Sequence, residues 1–243
     1  MKRISRPTRM RRIRQGLGKA VLALVLTPVL YLAIAAGWAS ASIDDLLARW
    51  PQDDRQATLT LSQAGILLRI EDPSFYSHHG LSLADGQGVA TISSALAREL
   101  FLEGPRLDGA KGMLQAFYRR VFDCCKRVDV GRDVMALVLD ARLSKQRQLT
   151  LYAQSVYMGR QDGRQVRGLD QAARVYLGKP LAKVDDAGMA RLVAMIKAPN
   201  AYHPVREPAA FALRLARVRA VLDGRCRPAG WFDTEYAHCV APK

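Results

Sequence analysis

Apolar residues recur at helical spacing along most of this chain. Leu149, Tyr152 and Val156 lie three and four positions apart, and the same spacing recurs in residues 211–222. This spacing predicts amphipathic helices, whereas no segment alternates convincingly between apolar and polar residues as a half-buried strand does. We therefore expect a nearly all-α globular domain over residues 59–224.

Capping residues indicate where several of these helices begin and end. Ser144 is typical of a helix N-cap, because its hydroxyl can accept a hydrogen bond from a first-turn amide. Glycine is typical of the position after a helix, where the backbone turns left-handed. Three glycines follow predicted helices in this way: Gly159, Gly178 and Gly224.

A long apolar segment precedes the domain. Residues 20–43 contain no charged side chain, and their apolar positions are enough to cross about 30 Å of hydrocarbon. We predict a transmembrane helix there, with Trp38 at the membrane interface, followed by a juxtamembrane helix and linker over residues 44–58. Residues 39–41 also resemble a signal-peptide cleavage site, so a removed leader is the alternative.

Positive charge is concentrated before this segment. The formal net charge is +15, and eight basic residues but no acid lie in residues 1–19. Because this basic arm adjoins an apolar segment, it indicates the cytoplasmic flank of a membrane helix rather than an arm for nucleic acid. We expect a single-pass inner-membrane protein with a cytoplasmic N-terminus and a periplasmic domain.

The four cysteines all follow the apolar segment. Cys226 and Cys239 lie in a C-terminal tail, residues 225–243, that has little apolar core of its own. In an oxidising compartment these two would close a small loop worth about 3 kcal/mol. No paired ligand spacing accompanies the cysteines, so they do not predict a metal site.

The stretch richest in candidate chemistry is Glu-Asp-Pro-Ser-Phe-Tyr-Ser-His-His-Gly, residues 71–80. Pro73 disfavours the α-conformation of the residue before it, so a helix should end near Glu71 and turn its carboxylate toward a cleft. Phe75 offers an apolar wall that raises the pKa of a neighbouring acid, and His78 is close enough to hydrogen-bond one. The alternative is a helix end with solvated acids.

A glycine-flanked loop entering a second helix follows at residues 86–102. Thr91, Ser94 and Arg98 fall on one face of that helix. Amides of a helix N-terminus, two hydroxyls and a guanidinium suit a diphosphate. The alternative is an amphipathic helix with a solvated polar face.

The pattern Glu-Asp-x-x-Phe-x-x-His-x-Gly, followed by Gly-x-x-Thr-Ile-Ser, resembles the first two motifs of the peptidoglycan glycosyltransferase domain. That domain occurs in class A penicillin-binding proteins and in monofunctional peptidoglycan glycosyltransferases. Residues 135–159 and 167–204 are similar to later motifs of the family, so the resemblance covers residues 64–222 in order.

The chain departs from the family at three places, one of which is a shortened stretch between Gly80 and the second motif. Ser94 and Ala95 stand where the family has two glutamines, and Arg98 stands where it has a lysine. Arg132 and Asp133 stand where the family's second catalytic Glu is usual. Either Asp133 takes over that role or the role is missing.

The resemblance implies a lysozyme-like all-α fold and an inverting transfer. The 4-hydroxyl of an acceptor sugar would attack the anomeric carbon of a chain linked to undecaprenyl diphosphate and form a β-1,4 bond. Lipid II and the nascent glycan strand would be the substrates, and the membrane and other cell-wall synthases would be partners. We expect no nucleic-acid partner.

We assign Glu71 as the general base and Asp133 as the candidate second acid. Arg98 and Lys197 would stabilise the departing diphosphate, helped by a divalent cation, Mg²⁺ or Mn²⁺, held by Asp72 or Asp133. The residues predicted to bind substrate are Asp72, Phe75, His78, Thr91, Ser93, Ser94, Arg98 and Lys197.

Two other functions remain open at this point. The departures from the family pattern favour a non-catalytic relative that binds a lipid-linked saccharide or a cell-wall synthesis partner. A lysozyme-like hydrolase would instead use Glu71 as an acid on preformed glycan.

Overall fold

The structure, a computed structural model, describes residues 6–50, 58–83, 85–87, 90–124 and 129–240. Residues 1–5 of the predicted basic arm, most of the predicted linker and the last three residues of the tail lie outside this range. The α-helices of the described part are α1 Arg6–Ala48, α2 Leu61–Glu71, α3 Ile92–Ala97, α4 Gly109–Cys124, α5 Val130–Arg142, α6 Lys145–Ser155, α7 Leu169–Leu177, α8 Asp186–Ile196 and α9 Pro208–Leu222. A π-helical segment, Arg98–Glu103, continues α3.

The prediction of a nearly all-α domain behind one apolar helix is confirmed, with one addition. Strands β1 (Tyr157–Gln161) and β2 (Arg164–Arg167) form an antiparallel hairpin. Asp162 and Gly163 make its two-residue turn, and both have positive φ, 50° and 76°. Asp-Gly is a strong hairpin signal, because such turns match the twist of the strands they join.

Most predicted helix ends are confirmed. Helix α2 ends at Glu71, and the hydroxyl of Ser144 accepts a hydrogen bond from the Arg147 amide at the start of α6. Gly178 follows α7 in the left-handed conformation, with φ 68°. The prediction for Gly159 is wrong, because this residue lies inside β1 and α6 has already ended at Ser155.

Helix α1 runs without interruption from Arg6 to Ala48. The separate juxtamembrane helix that we predicted after residue 43 is therefore the last part of α1. Within the described residues, one helical segment, Leu22–Ala48, is long enough and apolar enough to cross a membrane. This criterion uses length and composition only, and a signal sequence also meets it. Its first part carries exposed apolar side chains, such as Leu24 and Leu30.

The last third of α1 is buried in the domain. Ala35, Ile43 and Leu46 pack with residues of α4, α5 and the π-helical segment in a core that we call the anchor-side core. Trp38 belongs to it as well, and its indole N–H donates to the Lys111 carbonyl at 2.9 Å. The predicted interfacial position of Trp38 is therefore wrong, because the domain covers the ring.

A second core, the site-side core, lies among α2, α6, α7, α8, α9 and the hairpin. Helix α3 joins the two, since Ile92 packs in the site-side core and Leu96 in the anchor-side core. The C-terminal end of α2 reaches the surface of the site-side core together with the ends of α6 and α8. Three element ends thus meet at one place, where loops and termini leave a cleft.

Candidate active site

A cavity of about 430 Å³ opens where α2, α6 and α8 end. The π-helical segment, α9 and the C-terminal tail complete its wall. Its charged lining residues are two carboxylates and three cations: Glu71, Glu99, Arg98, Lys197 and Arg214. A concave site that combines acids and cations is the default candidate for an active site.

Glu71 is the last residue of α2, at the corner that the sequence predicts. Burial raises the pKa of its carboxyl from 4.5 to about 7, while attraction by the Arg214 and Lys197 cations opposes the rise and Asp72 adds to it. A carboxylate with a pKa near neutrality can accept and release a proton at physiological pH. Glu71 is therefore suited to general acid–base chemistry.

Two predicted binding residues, Arg98 and Lys197, also line this cavity. Arg98 begins the π-helical segment and lies 3.6 Å from the Glu103 carboxylate. Lys197 caps α8 and lies 2.9 Å from the Glu235 carboxylate. The structure thus brings Glu71 together with the two cations to which the sequence assigns a diphosphate.

Two charged residues of the cavity were missed in the sequence. Glu99 lies next to Arg98, carries a pKa raised mainly by burial, and pairs with Arg167 at 2.9 Å. Arg214 lies on α9, outside every motif that we recognised, and is only 2% exposed. A charged residue inside an otherwise apolar helical stripe was the available signal for Arg214.

Asp72 and His78 lie beneath the cavity rather than at its wall. Asp72 is fully buried and accepts hydrogen bonds from the Ile92 amide and from His78 Nε2. His78 Nδ1 accepts from the Gly80 amide, so Nε2 carries the proton that is donated to Asp72. These bonds tie the end of α2 to the start of α3.

The side chains of Phe75, Thr91, Ser93 and Ser94, which were predicted to bind substrate, likewise make contacts within the protein. Thr91 donates to the Gly80 carbonyl and forms a capping box with Ser94 at the start of α3. Ser93 donates to the Gln148 side chain, and Phe75 is packed in the site-side core. Their predicted contact with substrate stays a prediction, and their observed role is to hold the first motif against the second.

Asp133 lies in the first turn of α5 and pairs with Arg132 at 2.5 Å. It is not among the described residues that line the cavity. Asp140, seven residues further along α5, lies 3.8 Å from His79 of the first motif. Asp133 is therefore about 10 Å along the helix axis from the point where α5 meets that motif. Its role as a second acid stays a prediction that this placement does not favour.

The same geometry bears on the predicted metal ion. Asp72 is fully buried, both of its oxygens lie within 3.2 Å of His78 Nε2, and one also accepts from an amide, so the protein itself already binds this carboxylate. Asp72 and Asp133 lie on separate elements and do not form a joint carboxylate site. These residues do not fit Mg²⁺ or Mn²⁺, and no chemical step below depends on one.

The predicted Cys226–Cys239 disulfide is confirmed. It closes the tail, of which Thr234 lines the cavity. His238 lies beside the two sulfurs, but the disulfide leaves them without thiolates for a metal. The tail is thus a packed part of the domain.

Comparison with known proteins bears on the family to which the chain belongs. A model of the family described as "Transglycosylase" matches residues 56–223. Penicillin-binding protein 1B of Escherichia coli is 32% identical over 166 residues, which cover 65% of this chain and 19% of that protein. Penicillin-binding protein 1B of Vibrio cholerae is 32% identical over 154 residues, covering 58% of this chain and 18% of that protein.

A shorter relative is similar over more of its own length. "Putative transglycosylase" of Cupriavidus necator is 28% identical over 170 residues, which cover 65% of this chain and 62% of that protein. The chain therefore spans about a fifth of the penicillin-binding proteins that it matches, but well over half of this shorter relative.

Proposed function

The chain belongs to the transglycosylase family, which places it among peptidoglycan glycosyltransferases with a lysozyme-like helical fold, and we propose that it polymerises lipid II. The observation that carries this proposal is the cavity in which a carboxyl group of pKa about 7, Glu71, faces the cations of Arg98 and Lys197. An acid that can accept a proton and cations that can hold a diphosphate are what the transfer requires.

Glu71 acts as the general base. It takes the proton of the acceptor's 4-hydroxyl while the oxygen attacks the anomeric carbon of the donor. The bond from that carbon to the diphosphate breaks in the same displacement, so the configuration inverts. A pKa of about 7 makes the carboxylate a stronger base than a solvated Glu, and about half of it is ionised at neutral pH.

The cations act on the leaving group. Undecaprenyl diphosphate leaves with its electron pair and gains negative charge at the bridging oxygen, so charge stabilisation matters more than protonation. Arg98 can offer two N–H groups to one phosphate, and Lys197 a compact point charge to the other.

Helix α1 supports a membrane position for the domain. Its exposed apolar side chains precede the segment that packs against the domain, so the bilayer would begin where the anchor-side core ends. In this proposal the basic residues before it stay in the cytoplasm, and the domain meets its lipid-linked substrate on the outer face of the membrane.

The test is incubation of the detergent-solubilised protein with radiolabelled lipid II. We expect glycan polymer from the parent protein and a rate about 10² to 10⁴ lower from Glu71→Gln, which keeps the size of the side chain but cannot accept a proton. Glu207→Gln is the matched control, because Glu207 is an exposed acid at the start of α9.

Each other outcome identifies a different function. Binding of lipid II without product would indicate a non-catalytic relative, and cleavage of preformed glycan would indicate a hydrolase. Polymerisation by Glu71→Gln at the parent rate would show that this carboxylate only ends a helix.

A further inference from the structure

The C-terminal tail lies beyond the part of the chain that matches the family, which ends at residue 223. It nevertheless forms one side of the cavity and contacts the loop and the helix end that surround Glu71. The glycine loop is held from this side, since the Gly86 amide donates to the Gly230 carbonyl at 3.0 Å. A segment outside the family match is therefore part of the candidate active site.

Tyr236 fixes the tail in this position. Its ring is 2% exposed, and its hydroxyl lies 3.2 Å from the Ile70 carbonyl and 3.3 Å from the Gly86 carbonyl. Its backbone has φ 51°, which is unfavourable for a bulky residue and persists only where the surroundings enforce it. With the disulfide behind it, the tail is docked specifically.

The two residues before Tyr236 contact two cations of the cavity. Lys197 lies 2.9 Å from the Glu235 carboxylate and also donates to the Thr234 hydroxyl. Arg214 Nη1 donates to the Thr234 carbonyl at 2.9 Å. Oxygen atoms of the tail thus contact the donor groups of two cations that line the cavity.

Arg214 is not satisfied by this contact. The guanidinium is buried against the rings of Tyr202 and Tyr236, and its Nε has no hydrogen-bond partner among the described residues. A buried guanidinium with an unused donor on a cavity wall is costly unless an anion completes its hydrogen bonds. Since Arg214 also lines the cavity, an anion bound there would lower the cost of burying this charge.

We propose that Lys197 and Arg214 form a two-cation diphosphate site whose resting occupant is the tail, with Glu235 and the Thr234 carbonyl in place of phosphate oxygens. This inference rests on the proposed function, because that function supplies the diphosphate. Arg214 is then a further binding residue for the donor, and Glu235 is a built-in competitor that must leave Lys197 before the donor diphosphate binds.

The energies allow this exchange. The Lys197–Glu235 pair is partly exposed, 26% and 45% for the two side chains, so solvent screens it and it is weak. The hydroxyl of Tyr202 also donates to Glu235, at 2.5 Å, and this bond must break as well. A diphosphate carries more charge than one carboxylate and can engage both cations. Because Tyr236 and the disulfide hold the tail, only the Glu235 side chain and its immediate backbone need to move.

The experiment measures binding of inorganic pyrophosphate to the full-length protein in detergent by calorimetry. Glu235→Gln should tighten binding about two- to fivefold, because it removes the competing charge. Lys197→Met and Arg214→Lys should each weaken binding about tenfold or more, the second because lysine lacks the forked donor set. The KM for lipid II should fall for Glu235→Gln and rise for Lys197→Met and Arg214→Lys.

Asp223→Asn is the matched control, since it removes one negative charge just before the tail, where Asp223 pairs with Arg225 at 2.7 Å. Glu235→Ala serves as a second removal of the carboxylate, and thermal unfolding verifies that each variant is folded. Pyrophosphate binding by Glu235→Gln that is unchanged, weaker, or no tighter than that of Asp223→Asn overturns the proposal, as does a lack of binding by every variant. These readings need no catalysis, so they are separable from a failure to polymerise lipid II.

Discussion

Replacing Glu71 by Gln should stabilise the folded protein at alkaline pH, although the same change removes the proposed base. Burial raises the pKa of this carboxyl to about 7, so the folded state prefers the neutral form. Gln resembles that neutral form in size and hydrogen bonding. The variant therefore avoids the cost of a buried negative charge.

The magnitude follows from the pKa difference. In the unfolded chain the group titrates near 4.5, and in the folded protein near 7. The stability that comes from the protonated form is fully present below 4.5 and is lost as the pH rises through 7. The gap between these two values corresponds to up to about 3 kcal/mol. This loss should affect the parent protein and not Glu71→Gln.

The assay is thermal unfolding of the detergent-solubilised protein between pH 4.5 and pH 8.5, followed by circular dichroism. For a domain of this size, about 3 kcal/mol corresponds to about 6 to 12 °C in melting temperature. We expect the two proteins to melt close together at the acidic end and Glu71→Gln to melt higher at the alkaline end. Activity should change in the opposite sense.

A difference between the two proteins that does not depend on pH would refute the reasoning, because it would show that Glu71 is not desolvated in the folded state. The control is again Glu207→Gln, which removes an exposed acid and should leave the pH dependence unchanged.

Three further predictions concern the tail, the second acid and the topology. Replacing Cys226 and Cys239 by Ser should lower the free energy of unfolding by about 3 kcal/mol in a denaturant titration, and an unchanged midpoint would contradict this. Glu99→Gln should slow lipid II polymerisation about tenfold or more, since Glu99 lines the cavity, whereas Asp133→Asn should change it less than about threefold; the reverse order would restore Asp133 as the second acid. Alkaline phosphatase fused after Lys243 should be active in intact cells, and activity of a cytoplasmic reporter there instead would overturn the topology.

The sequence predicted the parts of the structure that depend on local chemistry. Pro73 predicted the end of α2 and hence the position of Glu71, because proline restricts the residue before it. Gly178 predicted the end of α7, because glycine readily adopts the left-handed conformation that ends a helix. Helical spacing of apolar residues predicted the fold class, because this pattern is also local in the sequence. The hairpin was missed although its Asp-Gly turn is a local signal, since its strands are short and do not alternate in polarity.

Features that depend on long-range packing could not be predicted in this way. A charge in the apolar stripe of α9 marks Arg214 as unusual, but Arg214 belongs to the cavity because α9 lies beside the ends of α2 and α8, which the stripe does not encode. Trp38 is a residue type typical of membrane interfaces, yet it is buried in the anchor-side core. Thr91 and Ser94 resemble a phosphate-binding face in sequence, but capping the helix uses the same hydroxyls.

The continuity of α1 means that the domain does not hang from a flexible tether. The helix enters the anchor-side core without a break. It would therefore act as a rigid stem that fixes the height and orientation of the Glu71 cavity above the lipid headgroups. A chain shortened to begin at residue 59 would lack one wall of that core and expose the apolar groove where Ile43 and Leu46 lie. Removing all of α1 would therefore not give a soluble protein. A shortened chain would have to keep the last third of the helix.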